Sequence, residues 1–375
     1  MTGAELIVEF LKRKNVTNAY GYPGGFVLFL YDAIYRMGFP HTLARHEQGA
    51  AHAADGYARV TGKPGVVIAT SGPGATNLVT GIANAHLDSV PMLAITGAVA
   101  RKDTGTDAFQ EADITGITLP ITKYNYLVMN PLELLPMLEE AWELTTSGRP
   151  GPVLVNIPKD IQQMEIGDYD DLMANNRVRS TYVRHRPSKI RTESMAEKVY
   201  AALQASERPL LLAGGGCIIS PGAVETLRAF VNHTGIPVAN TLMGKGAISE
   251  DNPCYLGNVG MHGTPQANLA MGRSDLLLAV GARFSDRVIG DPARYNQLQD
   301  KKLIHVDIDI AEIGKNVRPD IEIEDDAADF FKKMLESPAA KGFAKDWQDW
   351  KEQLADKKSQ YEMLKQQMYQ PVARP

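Results

Sequence analysis

The stretch Gly65-Val66-Val67-Ile68-Ala69-Thr70-Ser71-Gly72-Pro73-Gly74-Ala75-Thr76-Asn77 passes from an unbroken apolar run, through a glycine-rich turn, into small helix-compatible residues. A continuous apolar run of strand length fits a strand buried on both faces, and such strands belong to parallel sheets covered by helices. Residues 91–97 and 151–157 repeat the run, and 75–87 read as the helix between the first two strands. Toward the N-terminus, Thr2 and Glu5 have the spacing of a capping box, and Leu6, Ile7, Phe10 and Leu11 then recur at helical intervals. Alternating strand and helix patterns predict an α/β domain with a doubly wound parallel sheet over residues 1–166.

From 167 to 188 the pattern gives way to Asp168, Tyr169, Asp170, Asp171, Asn175, Asn176 and several arginines, the composition of a linker. A second alternation follows. Strands are expected at 210–213, 236–240, 275–280 and 303–307, with Gly214, Gly215 and Gly216 after the first and a helix at 222–233. Residues 189–337 therefore form a second doubly wound, Rossmann-like domain. Beyond Ala339, Phe343, Trp347, Trp350, Leu354, Tyr361, Leu364 and Met368 step at helical intervals, so 338–375 are expected as a long amphipathic helix and a linker.

Composition narrows the function. The formal charge of −5 is spread along 375 residues, which offers no basic patch to nucleic acid or to an anionic membrane. The opening Met1-Thr2-Gly3-Ala4-Glu5 carries acid where a signal peptide needs base, and no apolar run has the length of a membrane span. A cytoplasmic protein is expected, although an organellar one without its transit peptide would read the same. Cys217 and Cys254 read as small buried side chains, and no metal site is legible.

Three features carry chemistry. The turn from Ser71 to Asn77 joins a strand to a helix; its N–H groups suit an anion or a planar ligand, although taken alone it reads first as a tight structural turn. Glu47 sits in Arg45-His46-Glu47-Gln48-Gly49-Ala50-Ala51-His52-Ala53-Ala54-Asp55-Gly56-Tyr57-Ala58-Arg59, at the front of a helix of small residues. A carboxyl group there is either a buried hydrogen-bonding partner for a ring nitrogen or a helix-end acid near His46. Lys159, in Asn156-Ile157-Pro158-Lys159-Asp160, follows a strand and on composition alone is a solvated lysine.

Taken together, Tyr22-Pro23-Gly24-Gly25, the Glu47 segment, Ser71 to Asn77 and Gly105-Thr106-Asp107-Ala108-Phe109-Gln110-Glu111 closely resemble the pyrimidine-binding domain of the thiamine-diphosphate enzymes, specifically the acetolactate synthase large subunits. The resemblance runs from Ala4 to about Gln163. It implies a transferase that decarboxylates pyruvate and passes the two-carbon unit to a second 2-keto acid, pyruvate or 2-ketobutyrate, in branched-chain amino-acid synthesis. It implies that Glu47 hydrogen-bonds the aminopyrimidine of thiamine diphosphate and promotes loss of the thiazolium proton. It places Tyr22, Pro23 and Gly24 at the cofactor, Gly25 beside the reacting centre, Pro73 and Asn77 along the pyrimidine, and Gln110 beside the bound intermediate. Phe109 and Lys159 resemble residues that wall the substrate channel.

In the second domain Gly214, Gly215 and Gly216, Thr241, Leu242 and Met243, Met261, His262 and Gly263, and Gly281, Arg283, Asp286 and Arg287 resemble the stations that hold FAD in that family, where the flavin is not needed for net redox. Asp307 and Asp326 are implied as later contacts, with Arg149 reaching in from the first domain. A nicotinamide site is the competing reading of the glycine turn, but its third glycine would fall on Ile219, and Asn240-Thr241 stands where a ribose-binding acid is expected.

The sequence also departs from the family. Phe26 and Phe29 replace the usual alanine and proline, adding bulk beside the site, and Ala98-Val99-Ala100 replaces a commoner Gln-Val-Pro. Glu324-Asp325-Asp326 replaces a Gly-Asp pair, which is expected to add negative charge near the flavin. The Gly-Asp-Gly segment that holds Mg²⁺ is missing: Gly167-Asp168 precedes Tyr169 and Gly290-Asp291 precedes Pro292. The metal and diphosphate ligands are expected in a third domain outside this sequence. A homodimer is implied, a small regulatory subunit is possible within the family, and a non-catalytic homologue that binds FAD or a full-length partner is the alternative. A pyruvate oxidase-like enzyme is a further alternative, disfavoured by Phe109 with Lys159, and a glyoxylate carboligase is disfavoured by Glu47.

Overall fold

The computed structural model describes residues 1–175, 192–297 and 301–368. The chain divides into two units, 1–185 and 186–375. In the first, strands β1 (Ala19–Gly21), β2 (His41–Leu43), β3 (Gly65–Ala69), β4 (Met92–Ala98), β5 (Tyr124–Leu127) and β6 (Pro152–Pro158) form one sheet in the order β2-β1-β3-β4-β6-β5. Every pairing is parallel. The apolar runs bury both faces by simple alternation. Val66, Ile68, Leu93, Ile95, Val153 and Val155 point into one core with Phe10 and Leu138, while Val67, Ala69, Met92, Ala94 and Leu154 point into another with Ala51 and Ile82.

Helix α1 (Gly3–Arg13) begins with the expected capping box, Thr2 and Glu5 satisfying each other's N–H groups. Helices α2 (Leu28–Arg36) and α3 (Glu47–Thr61) follow β1 and β2. The chain moves outward from β1 to β2 and returns to β3 on the other side of β1, so the strand order reverses between β1 and β3. In a doubly wound sheet the crevice beyond the carboxyl ends of such strands is where ligands bind.

The predicted helix at 75–87 is two helices, Pro73–Thr76 and Val79–Leu87, because the chain tightens at Asn77 and the Leu78 N–H bonds to Ala75 rather than one residue further back. The stretch read as a linker opens with a helix, Tyr169–Asn175, whose Tyr169 is buried and bonds to Glu139, with the Arg13 guanidinium 4.2 Å above its ring. The rest of that stretch, 176–188, lies outside the described residues.

The second unit holds β7 (Pro209–Ala213), β8 (Val238–Asn240), β9 (Tyr255–Asn258), β10 (Leu276–Val280), β11 (Lys302–Asp307) and β12 (Ile321–Glu324), all parallel, in the order β12-β11-β10-β7-β8-β9. Its order reverses between β7 and β10. The expected C-terminal helix is broken after Lys341. A short helix Pro338–Lys341 is followed by an irregular stretch and then by Gln348–Met368. Trp347, Trp350 and Leu354 of this region are buried in the core of the same unit, and the two indole N–H groups donate to the carbonyls of Ser206 and Pro209 at 3.0 and 3.1 Å.

Candidate active site

Glu47 is the first residue of α3. His46 caps the helix by accepting the Gln48 N–H at 3.1 Å, so the carboxyl is left to point elsewhere. It is only 8% exposed, and its Oε2 accepts a hydrogen bond from Asn77 Nδ2 at 2.9 Å. The small face of α3 makes this burial possible: Ala50, Ala51, Ala54 and Ala58 are buried against β3 and the helix Val79–Leu87, where Gly81 lies directly over Ala51. Thr70, at the end of β3, joins the neighbouring loops. A Cβ at Gly24 would stand 2.5 Å from its Cγ2, a Cβ at Gly74 would stand 2.6 Å from the same atom and 3.2 Å from Glu47 Oε1, and Thr70 Oγ1 accepts the Phe26 N–H at 3.1 Å. A side chain at 74 would therefore fill the space beside the free oxygen of Glu47.

Tyr31 lies close behind. Its hydroxyl is 3.1 Å from His41 Nε2, and burial first, then the charge of Glu47, raises its pKa, while burial lowers that of His41. Gln110 takes a positive φ of 61°, and its carbonyl accepts the Ser71 hydroxyl at 2.8 Å beneath Gly72. That bond draws the 105–111 loop over the start of the glycine turn. Pro73 opens its short helix and is exposed, Tyr22 is 42% exposed, and a Cβ at Gly25 would meet nothing within 4 Å. Phe109 stands 81% exposed.

Lys159 begins the helix Lys159–Gln163 at the carboxyl end of β6, with its Nζ 5.9 Å from the Phe26 ring centroid and 5.7 Å from that of Phe29. Gln162, 1% exposed, donates to the Phe26 carbonyl at 2.8 Å and to Ile157 at 3.1 Å. Neither Thr70, Tyr31 nor Gln162 was singled out from the sequence, since each acts only through contacts with distant residues. Arg149, by contrast, lies with Ser89 at the amino ends of β4 and β6, where its Nε donates to Ser89 Oγ at 2.8 Å. It is at the opposite end of the sheet from Glu47.

In the second unit the implied stations gather at the carboxyl ends of the strands. The turns after β7 and β10 meet backbone to backbone, a Cβ at Gly281 standing 2.6 Å from the Gly216 Cα and one at Gly216 2.8 Å from the Gly281 Cα; Gly214 is equally enclosed by Gly281 and Ala282, while Gly215 faces Met243. Thr241 caps the turn Leu242–Gly244, leaving Leu242 74% exposed. Met261, in the loop with His262 and Gly263, is 64% exposed and bonded through its N–H to the Arg287 carbonyl, and Arg287 and Asp286 are both exposed. Arg283 is half-buried between them and β10. Asp307 is buried and accepts the Asp309 N–H, and His305 is buried with Nε2 3.0 Å from the Ala282 carbonyl, its pKa lowered by burial.

The expected excess of negative charge at 324–326 is compensated at Asp325. Asp325 is paired with Lys333 at 2.7 and 2.9 Å, burial raising its pKa against that pairing, and Asp326 caps the helix Ala327–Glu336 while accepting the Ser220 hydroxyl at 2.6 Å. Among the described residues no group of three or more His, Cys, Asp or Glu side chains is placed to hold a metal ion, and no helix is long and apolar enough to cross a membrane.

Comparison with known proteins gives the family of both units. Residues 1–117 match the family described as the thiamine pyrophosphate enzyme N-terminal TPP binding domain, and residues 196–334 match the thiamine pyrophosphate enzyme central domain. The chain is 48% identical over 358 residues to a probable acetolactate synthase large subunit of Methanocaldococcus jannaschii, covering 96% of this chain and 59% of that protein. It is 47% identical over 363 residues to the acetolactate synthase large subunit of Corynebacterium glutamicum, covering 96% and 56%. With the Lactococcus lactis large subunit the figures are 43% over 347 residues, 92% and 59%. The chain thus spans somewhat over half the length of the curated relatives it matches.

Proposed function

Since the chain belongs to the thiamine pyrophosphate enzymes, we propose that it supplies the pyrimidine-binding and central parts of an acetolactate synthase, decarboxylating pyruvate and joining the two-carbon unit to pyruvate or 2-ketobutyrate in branched-chain amino-acid synthesis. The observation that carries this reading is the buried Glu47, held at one oxygen by Asn77 and left open at the other beside Gly74. A heteroaromatic ring with a basic nitrogen is the kind of ligand that a buried carboxyl group can hydrogen-bond. Thiamine diphosphate, when bound, supplies the nucleophilic carbon and the electron sink for decarboxylation.

The protein's part follows from its own side chains. Glu47 holds or gives a proton at the ring nitrogen. Asn77 fixes the carboxyl so that one oxygen, not two, is available, and this sets the ring's orientation. Gly24 and Gly25 let the main chain approach the reacting atoms, and Gln110 offers an amide close to them. Lys159 and Phe109 wall the approach of a second 2-keto acid, with Lys159 facing its carboxylate.

FAD is proposed as a structural group at the carboxyl ends of β7, β8 and β10. The close glycine contacts leave main-chain edges there for a phosphate, and the exposed Leu242 and Met261 offer apolar surface to a ring system. Arg149, in the first unit, is kept in the proposal as a contact that reaches the same group. Mg²⁺ does not fit the described residues, among which no group of three or more His, Cys, Asp or Glu side chains is placed to hold it. Dimerisation through the first unit and control by a small regulatory subunit belong to the same proposal.

The test is acetolactate formation from pyruvate by the purified chain with thiamine diphosphate, Mg²⁺ and FAD, with and without an added diphosphate-binding domain from a relative. Turnover that Glu47→Gln abolishes is the expected result. A folded chain that binds the added domain and still forms no acetolactate would overturn the reading in favour of a non-catalytic module.

A further inference from the structure

Lys159 is a cation with an unusual set of neighbours. The acidic residue beside it, Asp160, is already taken: its two oxygens accept from the Arg101 main-chain N–H at 3.0 Å and from Arg101 Nε at 2.7 Å. Among the described residues no carboxylate lies within ion-pair distance of Lys159. Two aromatic rings, Phe26 at 5.9 Å and Phe29 at 5.7 Å from its Nζ, take that place. An ammonium at this range is attracted to the negative ring face without being neutralised by it.

The rings are held where they are by the backbone. The Phe26 N–H is fixed by Thr70, the threonine that also packs under Gly24 and Gly74 beside Glu47. The Phe26 carbonyl is fixed by Gln162, one turn beyond Lys159 on the same short helix, and it also packs against Gly97. Phe29 lies in the first turn of α2. The position of the Lys159 helix and that of the Phe26 loop are therefore coupled through one buried amide, and both are tied to the floor of the Glu47 site.

We propose that Phe26 and Phe29 are positioning residues that seat the Lys159 ammonium against their ring faces at the rim of the Glu47 site, as a preset receptor for the carboxylate of a small 2-keto acid. This rests on the carboligase reading only for the identity of the anion. The seat lowers the entropy lost when a long lysine side chain meets its ligand, and the two rings narrow the space beside it, so that short acids are favoured over branched ones.

The test is carbon-13 NMR of the full chain after reductive methylation with labelled formaldehyde, the Lys159 signal being identified by its loss in Lys159→Arg. The rings are expected to displace that signal from those of exposed lysines. Phe26→Leu and Phe29→Leu keep the bulk and remove the ring, so each should return the signal part of the way, whereas Phe26→Tyr and Phe29→Tyr should leave it displaced. Pyruvate, used as the probe, should move the signal, with its half-saturating concentration rising about two- to five-fold in either leucine variant. A Lys159 signal that coincides with exposed lysines, or that ignores both leucine substitutions in chains of unchanged circular dichroism, overturns the seat. A displaced signal that pyruvate does not move overturns the receptor. Neither readout requires turnover, so failure to form acetolactate with the expected NMR behaviour would remove the reaction and leave the receptor standing.

Discussion

Glu47 and Asn77 show how much a local pattern can reveal. Each lies in a contiguous motif, one at the start of a helix of small residues and the other closing a glycine turn, so both were legible as candidates; their mutual bond at 2.9 Å was not, because thirty positions separate them. Thr70, Tyr31 and Gln162 were illegible for the same reason. A threonine at a strand end or a glutamine in a helix signals nothing until its partner across the fold is known. Lys301 is another residue of this kind. It is largely buried, its ammonium donating to the Met271 carbonyl and to Ser274 Oγ, and burial lowers its pKa from 10.5 to about 8. Below about pH 8 the folded and unfolded chains both carry the proton, and the cost of burying the charge is felt in full. Between about pH 8 and 10.5 the folded chain releases a proton that the unfolded chain keeps, so stability should rise with pH by at most about 1.4 kcal/mol per unit. Urea unfolding of Lys301→Met beside the parent chain, at pH 7 and pH 10, checks this. The expected outcome is that the parent gains on the variant at the higher pH, and a constant difference would refute it.

At the scale of elements, the long buried strands were legible, and of the short ones only β8 was. β3, β4 and β6 are apolar on both faces, whereas β1 and β2 have three residues each and β5 has four, too few for any period to emerge. Helix breaks were missed where a side chain had another task. Asn77 turns from its helix toward Glu47, and the chain after Lys341 breaks so that Phe343 and Trp347 can both reach the core. The apolar stripe predicted beyond Ala339 needs a partner surface, and for its first half that surface is the second unit itself. Trp350 is 1% exposed, with its indole N–H donating to the Pro209 carbonyl at the start of β7. Trp350→Ala should destabilise the second unit by about 3–5 kcal/mol, through lost burial, a cavity and an orphaned carbonyl. Chemical denaturation followed by circular dichroism measures this, and a loss below about 1 kcal/mol would show that the helix is not docked as described.

At the scale of the molecule, the class of fold was legible because two separate stretches each alternate buried strands with helices, and the places proposed for the sites are those the topology favours. Strand order reverses between β1 and β3 in the first sheet and between β7 and β10 in the second, and the glycine turns that drew attention in the sequence lie at those reversals. Strand order itself was not legible, since no periodicity says that β5 lies outside β6. The core of the first unit is drawn from residues between Ala4 and Tyr169, and that of the second from residues between Ala196 and Leu354. Each unit thus has the six-stranded sheet, covering helices and buried interior that independent domains of this size require. Residues 1–175 and 192–368 produced as separate chains should therefore each unfold cooperatively in urea, with midpoints matching two transitions of the intact chain. A piece that binds hydrophobic dye, or melts without cooperativity while the intact chain unfolds in one sharp step, would show that the folding unit is the whole chain, and the proposed site around Glu47 would then have to be studied only in that context.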